Sequence, residues 1–129
     1  MSNKFHRGER LKSRKEIGRL FGKDGRSLSS YPLRLVHAEV EEVRGPFPFQ
    51  AAFVVPKRRF KRAVDRNLIK RRVREAFRLN KELIGAHSPL AQRQYALMFI
   101  YTGKEAMPYK YIERKMRKLL GELAKQLAN

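Results

Sequence analysis

Between Pro56 and Arg78 the chain carries a run of charge that few folded environments tolerate. Residues 57–78 hold 11 Lys or Arg and only two acids, Asp65 and Glu75. Within this run Arg62, Arg66, Lys70, Arg74 and Arg78 follow one another at intervals of four. On an α-helix that spacing stacks side chains on adjoining turns, in a ridge that winds slowly around the axis. Ile69, Val73, Ala76 and Phe77 fall on a different arc, suited to packing on a sheet. Like charges four apart weaken an isolated helix, so five in a row need a reason. An ordinary solvated face mixes signs, and this one does not. A membrane-surface helix would turn its apolar arc to lipid, whereas here that arc is needed for the core. A polyanion bound along the ridge removes the conflict, because arginine's fork of donors matches phosphate.

The remaining charge sharpens this picture. The 129 residues contain 31 Lys or Arg against 12 Asp or Glu, a net charge of +19, yet residues 27–56 hold two bases and three acids. The charge is therefore a patch rather than a coat, and it points first to nucleic acid and second to an anionic membrane surface. The length suits one domain spanning residues 1–129, and a hydrophobic fraction of 42% supplies a modest core. With no cysteine, disulfides, zinc ribbons, iron–sulfur clusters and cysteine nucleophiles are excluded, which fits a reducing, cytoplasmic location. The longest uncharged run, residues 45–56, has 12 residues and three prolines. That falls short of the ~20 residues a membrane helix needs. Residues 1–10 are polar and basic and read as a flexible arm, not a secretory signal.

Periodicity divides the chain into six elements. Residues 11–21 have helical spacing through Leu11, Ile17, Leu20 and Phe21, closed by the turn signal Asp24-Gly25. Leu33, Leu35 and His37 alternate with Arg34, Val36 and Ala38, a strand continuing towards Val43. Residues 50–55 are almost uniformly apolar and suit a strand buried on both faces. A helical period then runs over residues 63–84, closed by Gly85 and Pro89. Residues 95–101 form a further apolar strand, and Pro108 opens a last helix with the stripe Ile112, Met116, Leu119, Leu120, Leu123 and Leu127. The order α-β-β-α-β-α predicts an α/β sandwich with one small sheet.

Nothing in the sequence marks a protein-borne catalytic centre. His6, His37 and His87 lack the spacing of metal ligands. Glu41 and Glu42 are adjacent, so on a strand they face opposite ways and form no acid/base pair. Gly-rich phosphate loops, Gly-x-Ser-x-Gly and His-Glu-x-x-His are all missing.

The stretch Ala63-Val64-Asp65-Arg66-Asn67-Leu68-Ile69-Lys70-Arg71-Arg72-Val73-Arg74-Glu75-Ala76-Phe77 resembles the signature helix of bacterial ribonuclease P protein subunits, an Arg-Asn-Arg motif followed by a Lys-Arg pair and Arg-Glu. The resemblance spans roughly residues 9–125: Arg10-Leu11-Lys12 with Ile17 and Phe21 is similar to the family's first helix, and residues 95–101 stand at its last strand. Three departures are visible. Leu68 replaces the third motif residue, Ile17 stands where an aromatic is common, and Lys61 replaces a usual glycine in a turn lengthened by one residue.

The resemblance implies an α/β sandwich with a left-handed β-α-β crossover, against the general right-handed rule. It also implies that the RNA subunit is the ribozyme and removes the 5′ leader of precursor tRNA with Mg²⁺ held through that RNA, not at a protein site. The protein would be a monomer in a 1:1 complex with the RNA. Carried onto this sequence, the RNA-subunit contacts are Arg62, Arg66, Asn67, Lys70, Arg71 and Arg74, with Lys57, Arg58 and Lys61 at the edge. Phe21 and Arg34 are the candidates for a leader cleft. Phe21 has two readings, a stacking platform for an unpaired base or a core residue of an amphipathic helix. Two other classes compete: a structural RNA-binding protein of the ribosome and a nucleoid-type DNA binder.

Overall fold

The apolar run at residues 95–101 lies inside a sheet, where both of its faces are covered. The computed structural model describes residues 4–85 and 93–128. A short 3-10 turn (Arg7–Glu9) precedes α1 (Arg14–Leu20), β1 (Arg26–Ser30), β2 (Leu33–Glu39), β3 (Phe49–Val54), α2 (Ala63–Asn80), α3 (Glu82–Gly85), β4 (Tyr95–Tyr101) and α4 (Tyr109–Ala128). The sheet order is β1-β2-β4-β3, with β4 antiparallel to β2 and parallel to β3. Parallel neighbours need a long crossover, and α2 with the segment after it supplies one.

The two faces of the sheet have different cover. α2 and α4 lie side by side on one, burying Ile69, Val73, Phe77, Ile112, Met116, Leu119 and Leu120 against Leu33, Leu35, Leu97, Phe99 and Tyr101. The rings of Phe53 and Phe77 lie 5.7 and 5.3 Å from that of Phe99. Such aromatic pairs add about 0.5–1.5 kcal/mol each beyond the area they bury. On the other face α1 and the segment just before it pack down, with Leu20 and Leu11 against Val36, Ala38, Ala96 and Met98. Ser13 caps α1 by accepting a hydrogen bond from the Glu16 amide at 3.2 Å. Gly25 lets the chain leave α1 tightly, since a Cβ there would lie 1.9 Å from the Leu20 carbonyl oxygen.

The expected α/β sandwich is present, with four differences in its parts. The first is an additional strand, β1, which pairs with β2 alone. Its sequence, Arg-Ser-Leu-Ser-Ser, has one apolar residue, because an edge strand with one open side needs no apolar alternation. The second is at β2, which ends at Glu39 instead of continuing to Val43, as the Glu41 and Glu42 amides donate to the Glu16 carboxylate. The third is a break in the long helical period at Lys81; the Asn80 side-chain amide bonds back to the Ala76 carbonyl at 2.8 Å, and α3 follows. His87 and Pro89 lie outside the described residues.

The fourth concerns the expected arm at residues 1–10, because residues 4–10 are packed. Phe5 meets Phe53 and Phe77 edge-on, and Lys81 Nζ reaches both Glu9 carboxylate oxygens at 2.9 Å. Arg10 bridges to Ala51, so this segment also covers part of the β3 edge.

Candidate nucleic-acid interface

Positive charge is concentrated at the start of α2 by a turn with an apolar anchor. The amides of Arg59 and Phe60 bond back to the Pro56 carbonyl, and the Phe60 ring tucks against Tyr101, 5.9 Å between centroids. That anchor leaves Lys57, Arg58, Arg59, Lys61 and Arg62 on the surface. Arg62 occupies the helix N-cap without a side-chain hydrogen bond. Cations there oppose the helix dipole, and an anion at that end relieves both.

Along α2 the ridge is not uniform. Arg66 folds back, its Nη1 donating to the carbonyls of Phe60 and Lys61, both at 2.8 Å. It ties the basic turn to the helix. Arg78 is paired with Glu75, whose carboxyl it holds below the ordinary value. Arg62 lies 3.9 Å from Asp65. Lys70, Arg71 and Arg74 form no ion pair with a described carboxylate, and Asn67 is exposed beside them. Arg72, absent like Arg59 and Arg78 from the expected contact set, donates to the Met107 carbonyl at 2.6 Å. Lys70 and Arg74 are two residues before and after Arg72, so they lie on the opposite side of the helix, away from α4. The structure thus gathers Lys57, Arg58, Lys61, Arg62, Asn67, Lys70, Arg71 and Arg74 on one surface, with Arg66 bracing it.

Phe21 and Arg34 belong to the other face of the sheet. α1 runs over Val36, Ala38, Ala96 and Met98 but stops short of the next row, where Ser29, Arg34, Ile100 and Val54 lie side by side. Glu16 and Arg19 mark the side of α1 that meets the β2–β3 connection. Ile17 and Phe21, one turn apart, lie on the opposite flank, towards the open row. Phe21 is 61% exposed, which decides against a core role. Arg34 is exposed, and its Nε donates to Ser27 Oγ at 3.0 Å, holding the guanidinium over the β1 edge. The expectation that residues 50–55 form a strand buried on both faces is corrected here. Ala52 is half-buried and Val54 exposed, because none of the described helices covers that end of the sheet. Ala52, Val54 and Ile100 are thus cleft-floor residues that the apolar pattern alone does not separate from core. An open, flat, apolar floor with a phenylalanine on its wall and an arginine on its rim suits an unpaired strand of nucleic acid, where bases stack and phosphates meet cations.

Glu16 fixes the cleft wall. Its carboxylate is 1% exposed and accepts from Arg19 at 2.9 Å, from Arg44 at 3.0 Å and from the amides of Glu41 and Glu42. Burial alone would raise its pKa; the hydrogen bonds from both arginines and both amides outweigh that and hold it below the ordinary value. Among the described residues no group of three His, Cys, Asp or Glu is placed to hold a metal ion, and no helix is long and apolar enough to cross a membrane.

Residues 5–124 match the Ribonuclease P protein family. The chain belongs to that family. It is 41% identical over 120 residues to the ribonuclease P protein component of Porphyromonas gingivalis, covering 92% of this chain and 85% of that one. Its fold is similar to that of the RNase P protein from Thermotoga maritima, with 26% identity and a TM-score of 0.68 over 88% of this chain and 96% of that one. The Staphylococcus aureus RNase P protein shares the fold at 24% identity, also with a TM-score of 0.68, over 94% of this chain and 98% of that one. The ribonuclease P match takes in both the α2 surface and the cleft, so the features described above lie within the family's common extent.

Proposed function

We propose that this chain is the protein subunit of a ribonucleoprotein ribonuclease P, binding the catalytic RNA through α2 and the 5′ leader of precursor tRNA in the α1–sheet cleft. One observation carries the reading: the α2 cations without an ion pair among the described residues and the open row beside α1, apolar at Ile100 and Val54 and edged by Arg34, lie on opposite faces of one sheet. Two RNA segments can therefore be held at once without competing. The α2 surface is dense in Lys and Arg, with Asn67 its one uncharged polar member, which fits a phosphate backbone bound mainly through charge. The cleft has an aromatic wall and a guanidinium, which fits a single strand.

In this reading the cleavage chemistry and its Mg²⁺ belong to the RNA. The chain's own residues bind, orient and neutralise. Cations placed between two polyanions lower their mutual repulsion, so less Mg²⁺ is required for them to meet. One chain serves one RNA. The test is cleavage of a leader-bearing precursor tRNA by cognate ribonuclease P RNA at low Mg²⁺, with and without this chain. A protein-dependent rise in rate is expected; an equal rate in both arms overturns the assignment.

A further inference from the structure

α4 carries charge that neither the α2 surface nor the cleft uses. Its apolar stripe, Ile112, Met116, Leu119, Leu120 and Leu123, is buried on the sheet. On the opposite side Lys110, Arg114 and Lys118 follow one another at intervals of four, with Arg117 and Lys125 beside them, all exposed. Of these five only Lys125 has a carboxylate within reach, Glu122 at 3.8 Å. The helix also has a glycine, Gly121, at the position a helical period places on this same side, where an added Cβ would meet nothing within 4 Å. Packing gives no reason for it. Glycine in a helix interior is costly relative to alanine, and its use is to let another backbone approach closely.

The kind of partner follows from what the face lacks. A protein interface is built around apolar or aromatic anchors, and a membrane-surface helix needs an apolar face for lipid. The large exposed apolar side chains of the described residues all lie elsewhere, none of them on α4. A phosphate backbone needs only spaced cations. Steps of four residues advance about 6 Å along the axis, comparable with the spacing of successive phosphates on a strand.

Its place in the fold excludes the leader. α4 lies on the sheet face opposite the cleft, and it meets α2 along the flank marked by Arg72 and by the Asn80–Glu113 bond, away from Lys70 and Arg74. We infer that the outer face of α4 is a second phosphate-binding surface, occupied by a segment of the catalytic RNA other than the one on α2. This rests on the ribonuclease P reading above. The protein is then held to its RNA at two separated stretches of backbone, and the sheet between them is fixed in orientation.

The test uses the full chain and cognate ribonuclease P RNA, with affinity measured over a salt series and the RNA footprinted by hydroxyl radicals. The triple variant Arg114→Gln, Arg117→Gln, Lys118→Gln is compared with Lys70→Gln, Arg74→Gln and with wild type. All changes are on exposed or half-exposed positions, and circular dichroism checks that each chain is folded. The triple variant is expected to flatten the slope of log affinity against log salt by about 2–3, since each contact contributes about 0.7–0.9. It should also lose protections at RNA positions distinct from those lost in the α2 variant. An unchanged slope and footprint for a folded triple variant overturns the inference. So does a loss confined to precursor-tRNA affinity, which would put the substrate on α4 instead. If the wild-type chain shows no preference for ribonuclease P RNA over unrelated RNA of equal length, the functional reading itself fails, and that result is separate.

Discussion

Glu16, His37 and Arg66 show how single residues set the terms for the rest. Glu16 is the buried carboxylate at which Arg19, Arg44 and two backbone amides converge. Removing it strands two guanidiniums and two N–H groups, so Glu16→Ala should lower stability by about 2–3 kcal/mol in denaturant titrations. Because its folded pKa is depressed, its contribution is complete above the ordinary carboxylate value and is lost as pH falls through the folded one. Wild type should therefore lose more stability than Glu16→Gln below about pH 4. His37 behaves differently. It is buried, its Nε2 has no hydrogen-bond partner among the described residues, and burial together with the Arg26 charge outweighs a hydrogen bond with Gln126 and depresses its pKa. Protonation then favours unfolding, so stability should decline as pH falls below 6.5, and His37→Gln should flatten that part of the profile. None of these partnerships was legible in the sequence. Glu16 and Arg44 are 28 positions apart, and only the fold brings them together.

At the scale of elements, α2 was readable because its two patterns, apolar at Ile69, Val73, Ala76 and Phe77 and basic at intervals of four, share one period. The division of labour along its ridge was not readable. Arg66 braces the preceding turn, whereas Lys70 and Arg74, half-exposed, form no ion pair with a described carboxylate. Lys70→Gln with Arg74→Gln should accordingly flatten the salt dependence of RNA binding by about 1.5–2 without changing the melting temperature. Arg66→Ala should weaken RNA binding and also lower the melting temperature, because two carbonyl contacts are lost. β1 escaped periodicity since its side chains are mostly polar and its outer edge is open. Pairing with β2 brings Ser27 within reach of Arg34 and so holds that guanidinium at the cleft rim. Phe21 was left between two readings by the sequence, since helical spacing with Ile17 fits both. Its exposure favours stacking. Phe21→Ala should reduce affinity for a leader-bearing precursor about 10-fold, the low end of the ~1–3 kcal/mol per stacked base, and leave affinity for mature tRNA unchanged.

For the whole molecule, the net charge of +19 implies a polyanionic partner, and its concentration in residues 57–78 makes it a patch. The structure adds direction: cations on the outer side of the two-helix layer, and on the reverse of the sheet an open row with Ile100 and Val54 on its floor and Arg34 at its rim. On the proposed reading, this chain joins two RNAs by holding one on each side. The most direct measurement of this is the affinity of ribonuclease P RNA for precursor tRNA and for mature tRNA, each with and without the chain, at fixed salt and Mg²⁺. The chain is expected to tighten precursor binding by at least ~10-fold, about the stacking of one base, and to leave mature tRNA nearly unaffected. Equal tightening of both, or of neither, would contradict it.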